Sequence, residues 1–298
     1  RRDESTGRPS TEDETMSNDE RFRSVGPGGL DHESRPMKLW HKAKKLGTWD
    51  PTDIDFERDA EDWAELDDRE REVLLHLTGL FLGGEESVTR DLVPFLTAVG
   101  ERGPIEAEMF LTSFLFEEAK HVEAFRRFVD EVTGEPGDLS RFFGEAYRRL
   151  FDDELPGALE RLREERTPET LAEASVTYHM VVEGVTAETG YHAYFETLET
   201  HDILPGMREM VTSVQRDESR HLAFGVWFLS DLVDRHGGQL WDVIDRRMSE
   251  LLPIALQMID EFFSTYDEMP LGLEFDQFAT YAREQFQKRR ERIRPDGT

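Results

Sequence analysis

From residue 67 almost to the end of the chain, apolar side chains recur at alternating steps of four and three, the spacing that turns one face of an α-helix toward a core. No useful stretch alternates with the period of two that a half-buried strand requires, so the pattern predicts an all-α protein. Asp67 followed by Glu70 reads as a capping box opening a helix to about residue 99, with Gly100 and Gly103 closing it. Pro104 starts a second long helix that runs to 132 and stops at Gly134. Thr167 and Pro168 cap a third to about 198, and Pro205 with Gly206 begins a fourth that Gly237 ends. Shorter helices are predicted over 139–151 and 156–165, a long one over about 239–267 with a kink at Pro253, and a charged one over about 275–292. Ahead of residue 67 lies an irregular segment, where GTWDPTDIDF (47–56) carries Asp and Pro turn chemistry that argues against helix. Residues 1–28 are polar and rich in Gly, Pro, Ser and Thr, and read as a disordered tail. The predicted organisation is one domain over 29–292 between that tail and a short one at 293–298.

Acids fall inside the apolar stripes. The first helix reads Phe81, Glu85, Val88, Leu92; the second Phe114, Glu118, His121, Phe125; the third Met180, Glu183, Ala187; the fourth Val214, Glu218, His221, Gly225. Each long helix therefore places one carboxylate on its inward face, and two add a histidine at i+3. A lone buried carboxylate costs several kcal/mol, and four converging need compensating positive charge. The stripes themselves carry no Lys or Arg. Two metal cations would supply the charge, and Glu plus Glu-x-x-His on paired helices is the ligand set of ferritin-like di-iron and di-manganese bundles. Mixed nitrogen and oxygen donors suit Fe or Mn better than thiolate-bound zinc.

A Glu-rich chain yields roughly one Glu-x-x-His by chance, so the motif alone is weak. Position is what carries the argument. Glu85 precedes Glu118 by 33 residues and Glu183 precedes Glu218 by 35, as in two helical hairpins with equivalent ligands. Glu86 and Glu117 fall off the stripes and are expected to be solvated. Asp217, at i−4 from His221, is expected to orient a ligand imidazole rather than bind metal. His179, His192 and His201 lack a paired acid and are expected to be ordinary packed or surface histidines.

The formal net charge of −29 changes the picture of partners: it removes nucleic acid, whose phosphates such a surface would repel. An acidic coat of this size is expected of a halophile's protein. No apolar run approaches the ~20 residues of a membrane span, and the chain holds no cysteine and opens on no charged-then-apolar leader, so a cytoplasmic address is expected.

The segments EESVTRD (85–91), FEEAKH (116–121), TYHMVVEG (177–184) and DESRH (217–221), together with TWDPTDIDF (48–56), closely resemble the ligand-binding oxidases related to the ribonucleotide reductase small subunit. The resemblance covers roughly 29–290. It implies a ferritin-like four-helix bundle with additional helices, a homodimer, and a mixed Mn/Fe centre that activates O2, with a di-iron centre as the alternative. Glu85, Glu118 and His121 would hold the Mn-preferring site, and Glu183, Glu218 and His221 the Fe-preferring one. Asp217 would be hydrogen-bonded to His121. The resemblance also implies a long-chain fatty acid at the metals and an ether cross-link between Val88 and Tyr178. Trp49 matches the tryptophan that relays electrons in the reductase subunit; its simpler role is a packing anchor. Tyr178 lies five residues before Glu183, about 140° around an ideal helix, so for both to face the metals a π-bulge or a long reach is required.

Three functions compete. The first is an oxidase acting on an unactivated C–H bond. The second is a reductase small subunit, disfavoured because Phe125 stands where radical subunits place tyrosine and no tyrosine-bearing tail follows RPDGT. The third is a metal-storage or lipid-carrying protein without turnover.

Overall fold

The computed structural model describes residues 23–134 and 137–294, and helices make up most of them. The expected N-terminal tail lies outside the described residues as far as residue 22; residues 24–28 are exposed. Of the expected C-terminal tail, 295–298 lie outside.

Two helices precede the predicted ones. α1, Arg35–Leu46, starts where the Ser34 side chain accepts the Met37 amide and Pro36 occupies the first turn, and it buries Met37, Leu39 and Ala43. α2, Glu57–Glu65, buries Trp63 and, unexpectedly for a surface helix, Asp59 and Asp62. Between them 47–56 is irregular, as the sequence predicts, apart from a 3-10 turn at Pro51–Asp53.

The bundle core is built from four long elements. α3 is Asp68–Arg102, opened by the reciprocal Asp67–Glu70 box; Gly100 lies within it, and only Gly103 ends it. α4 is Ile105–Phe128, prolonged by a π-turn at Val129–Thr133. A short composite, α5, joins Glu145–Arg148, a π-turn Arg149–Glu154, Leu155–Glu160 and a 3-10 turn Arg161–Arg163, so the two predicted short helices are one interrupted rod. A separate 3-10 turn, Leu139–Phe142, precedes it.

α6 begins at Pro168–Ser175 behind a Thr167–Thr170 box, passes through a π-helical stretch at Val176–Ala187, and returns to α-helix at Glu188–His201. α7 is Pro205–His236. Its first residues follow Leu204, in the left-handed region at a φ of 51°, whose apolar side chain has no acceptor with which to cap the helix. α2 supplies the cap from outside: Asp59 accepts the Gly206 and Met207 amides at 2.8 Å each, and Asp62 that of Leu204 at 2.9 Å. α8, Gly238–Ser264, contains Pro253, and α9, Phe275–Ile293, closes the described chain.

Two apolar layers fill the interior. Leu92, Phe95, Phe110, Phe114 and Phe228 belong to one, and Phe81, Phe125, Tyr191, Tyr194 and Val214 to the other. Along each long helix the stripe acid falls between residues of the two layers, as Glu118 does between Phe114 and Phe125. This all-α, ferritin-like bundle is the predicted fold.

Candidate metal centre

Glu85 comes from α3, Glu118 and His121 from α4, Glu183 from the π-stretch of α6, and Glu218 and His221 from α7. All six are buried. They form two overlapping sets, Glu85, Glu118, His121, Glu218 and Glu118, Glu183, Glu218, His221, in each of which one donor atom per residue lies within 4.8 Å of the others. Glu118 and Glu218 belong to both sets, a pairing finer than the three-and-three division that resemblance implied. His121 Nδ1 lies 3.4 Å from Glu85 Oε2, 3.4 Å from Glu218 Oε1 and 3.8 Å from Glu118 Oε2. On the other side His221 Nδ1 is 3.1 Å from Glu118 Oε1, 3.5 Å from Glu218 Oε2 and 3.8 Å from Glu183 Oε1.

The donors point at something other than protein. Glu118 Oε2, both oxygens of Glu183, Glu218 Oε2 and the Nδ1 atoms of both histidines are buried without a hydrogen-bond partner. Buried polar atoms are rarely orphaned, and six orphans facing one another fit a pair of oxygen- and nitrogen-ligated cations. Without that charge, burial pushes Glu85 up to about 8 and holds Glu183 well above the carboxylate range, the nearby Glu218 charge adding to the latter. Burial opposes charge on His121 and His221 too, yet the facing carboxylates hold both well above the ordinary imidazole value.

Behind each histidine stands an acid. His121 Nε2 lies 3.3 Å from Asp217 Oδ2, and His221 Nε2 lies 2.9 Å from Glu117 Oε2. Glu117 is therefore buried, not solvated as its off-stripe position suggested, because α7 packs over that flank of α4 and Arg220 meets it at 2.6 Å. Arg220 also pairs with Asp217, and Lys120 Nζ lies 2.9 Å from Asp217 Oδ2. These two buried cations pair with the outer acids, and among the described residues no Lys or Arg is paired with the four inner glutamates. Burial alone would raise Asp217, but its bond to His121 and the charges of His121 and Lys120 hold it far below the usual carboxylate range. Glu86 is half exposed and pairs with Arg90.

Trp49 donates its indole N–H to Asp217 Oδ2 at 2.8 Å, and its ring stacks on His121 with centroids 6.3 Å apart. An unbroken contact path thus runs from a half-buried indole through a carboxylate to a candidate ligand. The π-stretch resolves the angular problem of Tyr178: the residue is fully buried and its hydroxyl donates to Glu118 Oε1 at 3.0 Å. Burial and the surrounding carboxylates keep that phenol protonated. Tyr191 was not anticipated. Its hydroxyl donates to Glu85 Oε1 at 3.3 Å, and its place at i+8 from Glu183 was the available signal.

His179 is packed against Phe95 and Phe114, His192 stacks on Tyr281, and His201 faces the Leu271 carbonyl, so none joins the centre. A cavity of about 110 Å³ opens onto Glu85, Glu118, Glu183 and Glu218, with Val88, Phe81, Phe151 and Val182 in its wall. A second of about 90 Å³ shares Leu80, Thr186, Gly190 and Met258 with it and continues between α6, α8 and α9.

Helical layers and a buried carboxylate–histidine centre together define the ferritin-like di-metal class. The sequence profile described as "Ribonucleotide reductase, small chain" matches residues 34–293, and the chain belongs to that family. Among solved structures it is similar to an R2-like ligand-binding oxidase with aerobically reconstituted Mn/Fe cofactor after a long soak, at 33% identity and a TM-score of 0.86 over 89% of this chain and 94% of that one. A valine-to-leucine variant with anaerobically reconstituted Mn/Fe cofactor matches at 34% identity and a TM-score of 0.84 over 89% of this chain and 95% of that one. A tyrosine-to-phenylalanine variant with aerobically reconstituted Mn/Fe cofactor matches at 33% and 0.86, over the same 89% and 95%. No helix among the described residues is long and apolar enough to cross a membrane.

Proposed function

We propose that this protein is an O2-dependent oxidase that carries one Mn and one Fe, acts on an unactivated C–H bond, and works as a homodimer. The observation that carries the reading is the set of six orphaned donor atoms facing one another in the core, three of whose residues, Glu118, Glu183 and Glu218, also line the cavity. Glu85, Glu118, His121 and Glu218 would hold one ion, and Glu118, Glu183, Glu218 and His221 the other. Bound there, the metals would supply O2 reduction and the oxidising power for C–H chemistry.

The protein's own part is geometry and access. Asp217 and Glu117 fix the histidine rings so that each Nδ1 faces inward. Away from the four carboxylates the walls of the two adjoining cavities are mostly apolar, which suits a long-chain fatty acid whose carboxylate reaches the metals and whose chain lies between α6 and α8. Val88 lines the same cavity as Glu118, and Tyr178 donates to Glu118 from the core, which supports the proposed ether cross-link. Forming that C–O bond breaks one C–H of Val88 and the O–H of Tyr178, and two electrons and two protons pass to O2.

A reductase small-subunit reading is favoured by the family profile and by the Trp49–Asp217–His121 path. Against it, the position of the radical tyrosine is Phe125, fully buried and stacked 5.2 Å from Phe81.

Metal analysis after anaerobic and aerobic reconstitution with Mn and Fe, followed by peptide mass spectrometry and lipid extraction, tests the proposal. Loss of two hydrogens linking the Val88 and Tyr178 peptides, seen only after O2, supports the oxidase; separate peptides with both metals bound leave a storage or carrier protein. Glu118→Ala should abolish at least one metal, and retention of both would refute the site.

A further inference from the structure

Lysine is scarce in this chain and unevenly placed. Lys38, Lys42, Lys44, Lys45 and Lys120 lie on α1 or against its C-terminal end, leaving Lys288 as the remaining one. α1 also carries Arg35 and no acidic residue at all, in a molecule of net charge −29. Arg35 and the four α1 lysines are exposed, while the apolar face of the helix is buried against the bundle. One lysine is partly committed, Lys38 pairing with Glu33 at 2.9 Å.

The basic helix ends at the Trp49 path. The carbonyl of Gly47, its C-cap, accepts from Lys120 Nζ at 2.9 Å, and that ammonium lies 4.3 Å above the Trp49 ring and beside Asp217. A side chain at Gly47 would collide with Glu117 and Arg220, so the end of α1 touches the groups that hold both histidines. Two of the few large apolar side chains exposed among the described residues flank this point: Leu46 at 44% and Phe116 at 62%. A positive rim around exposed apolar groups is the make-up of a transient protein interface.

We infer that the α1 face, with Leu46 and Phe116, is the docking surface for a small acidic one-electron carrier protein that delivers reducing equivalents through Trp49, Asp217 and His121. The inference rests on the di-metal oxidase reading for its purpose, but the surface itself is built by the fold. Reducing O2 to two waters takes four electrons; oxidation of one C–H bond returns two, and two single-electron deliveries from the carrier supply the others. The carrier is oxidised by one electron at each visit. Charge complementarity selects an acidic protein. A basic carrier would be drawn to the acidic coat everywhere and would have no preferred seat at Trp49. The patch is one helix of 12 residues, about 18 Å long at ~1.5 Å per residue, a compact seat ringed by repulsive surface that an extended polyanion would not tolerate.

The test uses a plant-type [2Fe–2S] ferredoxin as the acidic carrier, with cytochrome c as a basic control. Binding of oxidised ferredoxin to the full-length metal-free chain should be seen at low salt and weaken as salt rises, whereas repulsion by the overall charge alone would make it strengthen. The K38E/K42E/K44E/K45E variant should weaken binding by roughly tenfold or more, and the milder K44Q/K45Q pair, which leaves the helix intact, by a smaller factor. Reduction of the metal-loaded protein by ferredoxin should slow in parallel, while reduction by phenylhydrazine, uncharged at neutral pH, stays unchanged. Trp49→Phe should leave binding intact and slow electron delivery. Insensitivity of ferredoxin binding to the charge reversals, binding that rises with salt, or lysine-dependent capture of anionic phospholipid vesicles without ferredoxin binding would each overturn the inference. A loaded protein that phenylhydrazine cannot reduce would refute the oxidase reading instead, and the metal-free binding measurement would still decide the docking.

Discussion

Glu117 and Asp217 do the same work on opposite sides of the centre: each presents a carboxylate oxygen to the outer nitrogen of a histidine and is itself held by Arg220. The arrangement orients both rings so that Nδ1 turns inward. Glu117→Gln keeps a hydrogen-bonding atom but removes the charge that balances Arg220. We expect metal affinity on the His221 side to fall ~10–100-fold with stability reduced by a few kcal/mol, read by competitive metal titration and chemical denaturation. Unchanged affinity would show that Glu117 merely fills space. Glu85, Glu118, Glu183 and Glu218 were legible because a carboxylate within an apolar stripe must be buried once the helix packs. Glu117 was not, because its burial depends on which neighbour covers the flank of α4, and helical period is silent on that. A second residue-level prediction concerns His76, stacked 4.7 Å from Phe142 with Nδ1 2.9 Å from the Tyr266 hydroxyl. Burial lowers its pKa to about 4. The unfolded value is about 6.5, so between these pH values the unfolded chain binds the extra proton. Its contribution to stability is therefore complete above about 6.5 and is lost as pH falls toward 4, a loss of ~3 kcal/mol. Wild type should lose that much more than His76→Asn between neutral pH and pH 4 in denaturant titrations; parallel pH profiles would disprove the assignment.

At the level of elements, the π-helical stretch of α6 decides what the centre can contain. An α-helical Val176–Ala187 would turn Tyr178 about 140° from Glu183; the wider turn lets the phenol reach Glu118 while Glu183 still faces inward. α7 approaches this stretch closely at Gly225, where a Cβ would stand 2.4 Å from His179 Cβ and 2.6 Å from its Cγ. These are atoms near the backbone that cannot swing aside. Gly225→Ala should therefore cost about 1–3 kcal/mol and lower the melting temperature, and an unchanged temperature would show that the two helices slide apart freely. The long helices were legible from their caps: the Asp67–Glu70 box, Pro104, Thr167 before Pro168, and Gly134 and Gly237 at C-terminal ends all lie where their chemistry demands. α1 and α2 were missed for a related reason. Short helices present too few turns for a period to stand out, and α2 spends Asp59 and Asp62 on capping α7, so two of its inward positions look polar in the sequence.

Across the whole molecule the dominant quantity is charge. The chain carries 65 acidic side chains against 36 Lys and Arg, and many of its exposed basic groups are held in pairs one helical turn apart, such as Arg126 with Asp130, Arg127 with Glu131 and Arg235 with Asp231. Exposed pairs of this kind contribute only ~0.2–1 kcal/mol each and cannot offset the mutual repulsion of the unpaired acids. That repulsion is relieved by unfolding, which spreads the charges, and by salt, whose screening length shrinks from ~30 Å at 0.01 M to ~3 Å at 1 M. Stability should accordingly rise with added KCl and level off once the screening length falls below the spacing of neighbouring carboxylates. Levelling off separates this cause from the general stabilisation that strongly excluded salts give every protein, which has no reason to saturate. Melting curves of the metal-free protein from dilute buffer to molar KCl are the measurement. A melting temperature independent of salt would mean that the acidic coat imposes no net strain on the fold, and a rise without a plateau would assign the effect to exclusion from the surface. The same series bears on the basic α1 face in the opposite sense, since salt that strengthens the fold should weaken any acidic partner bound there.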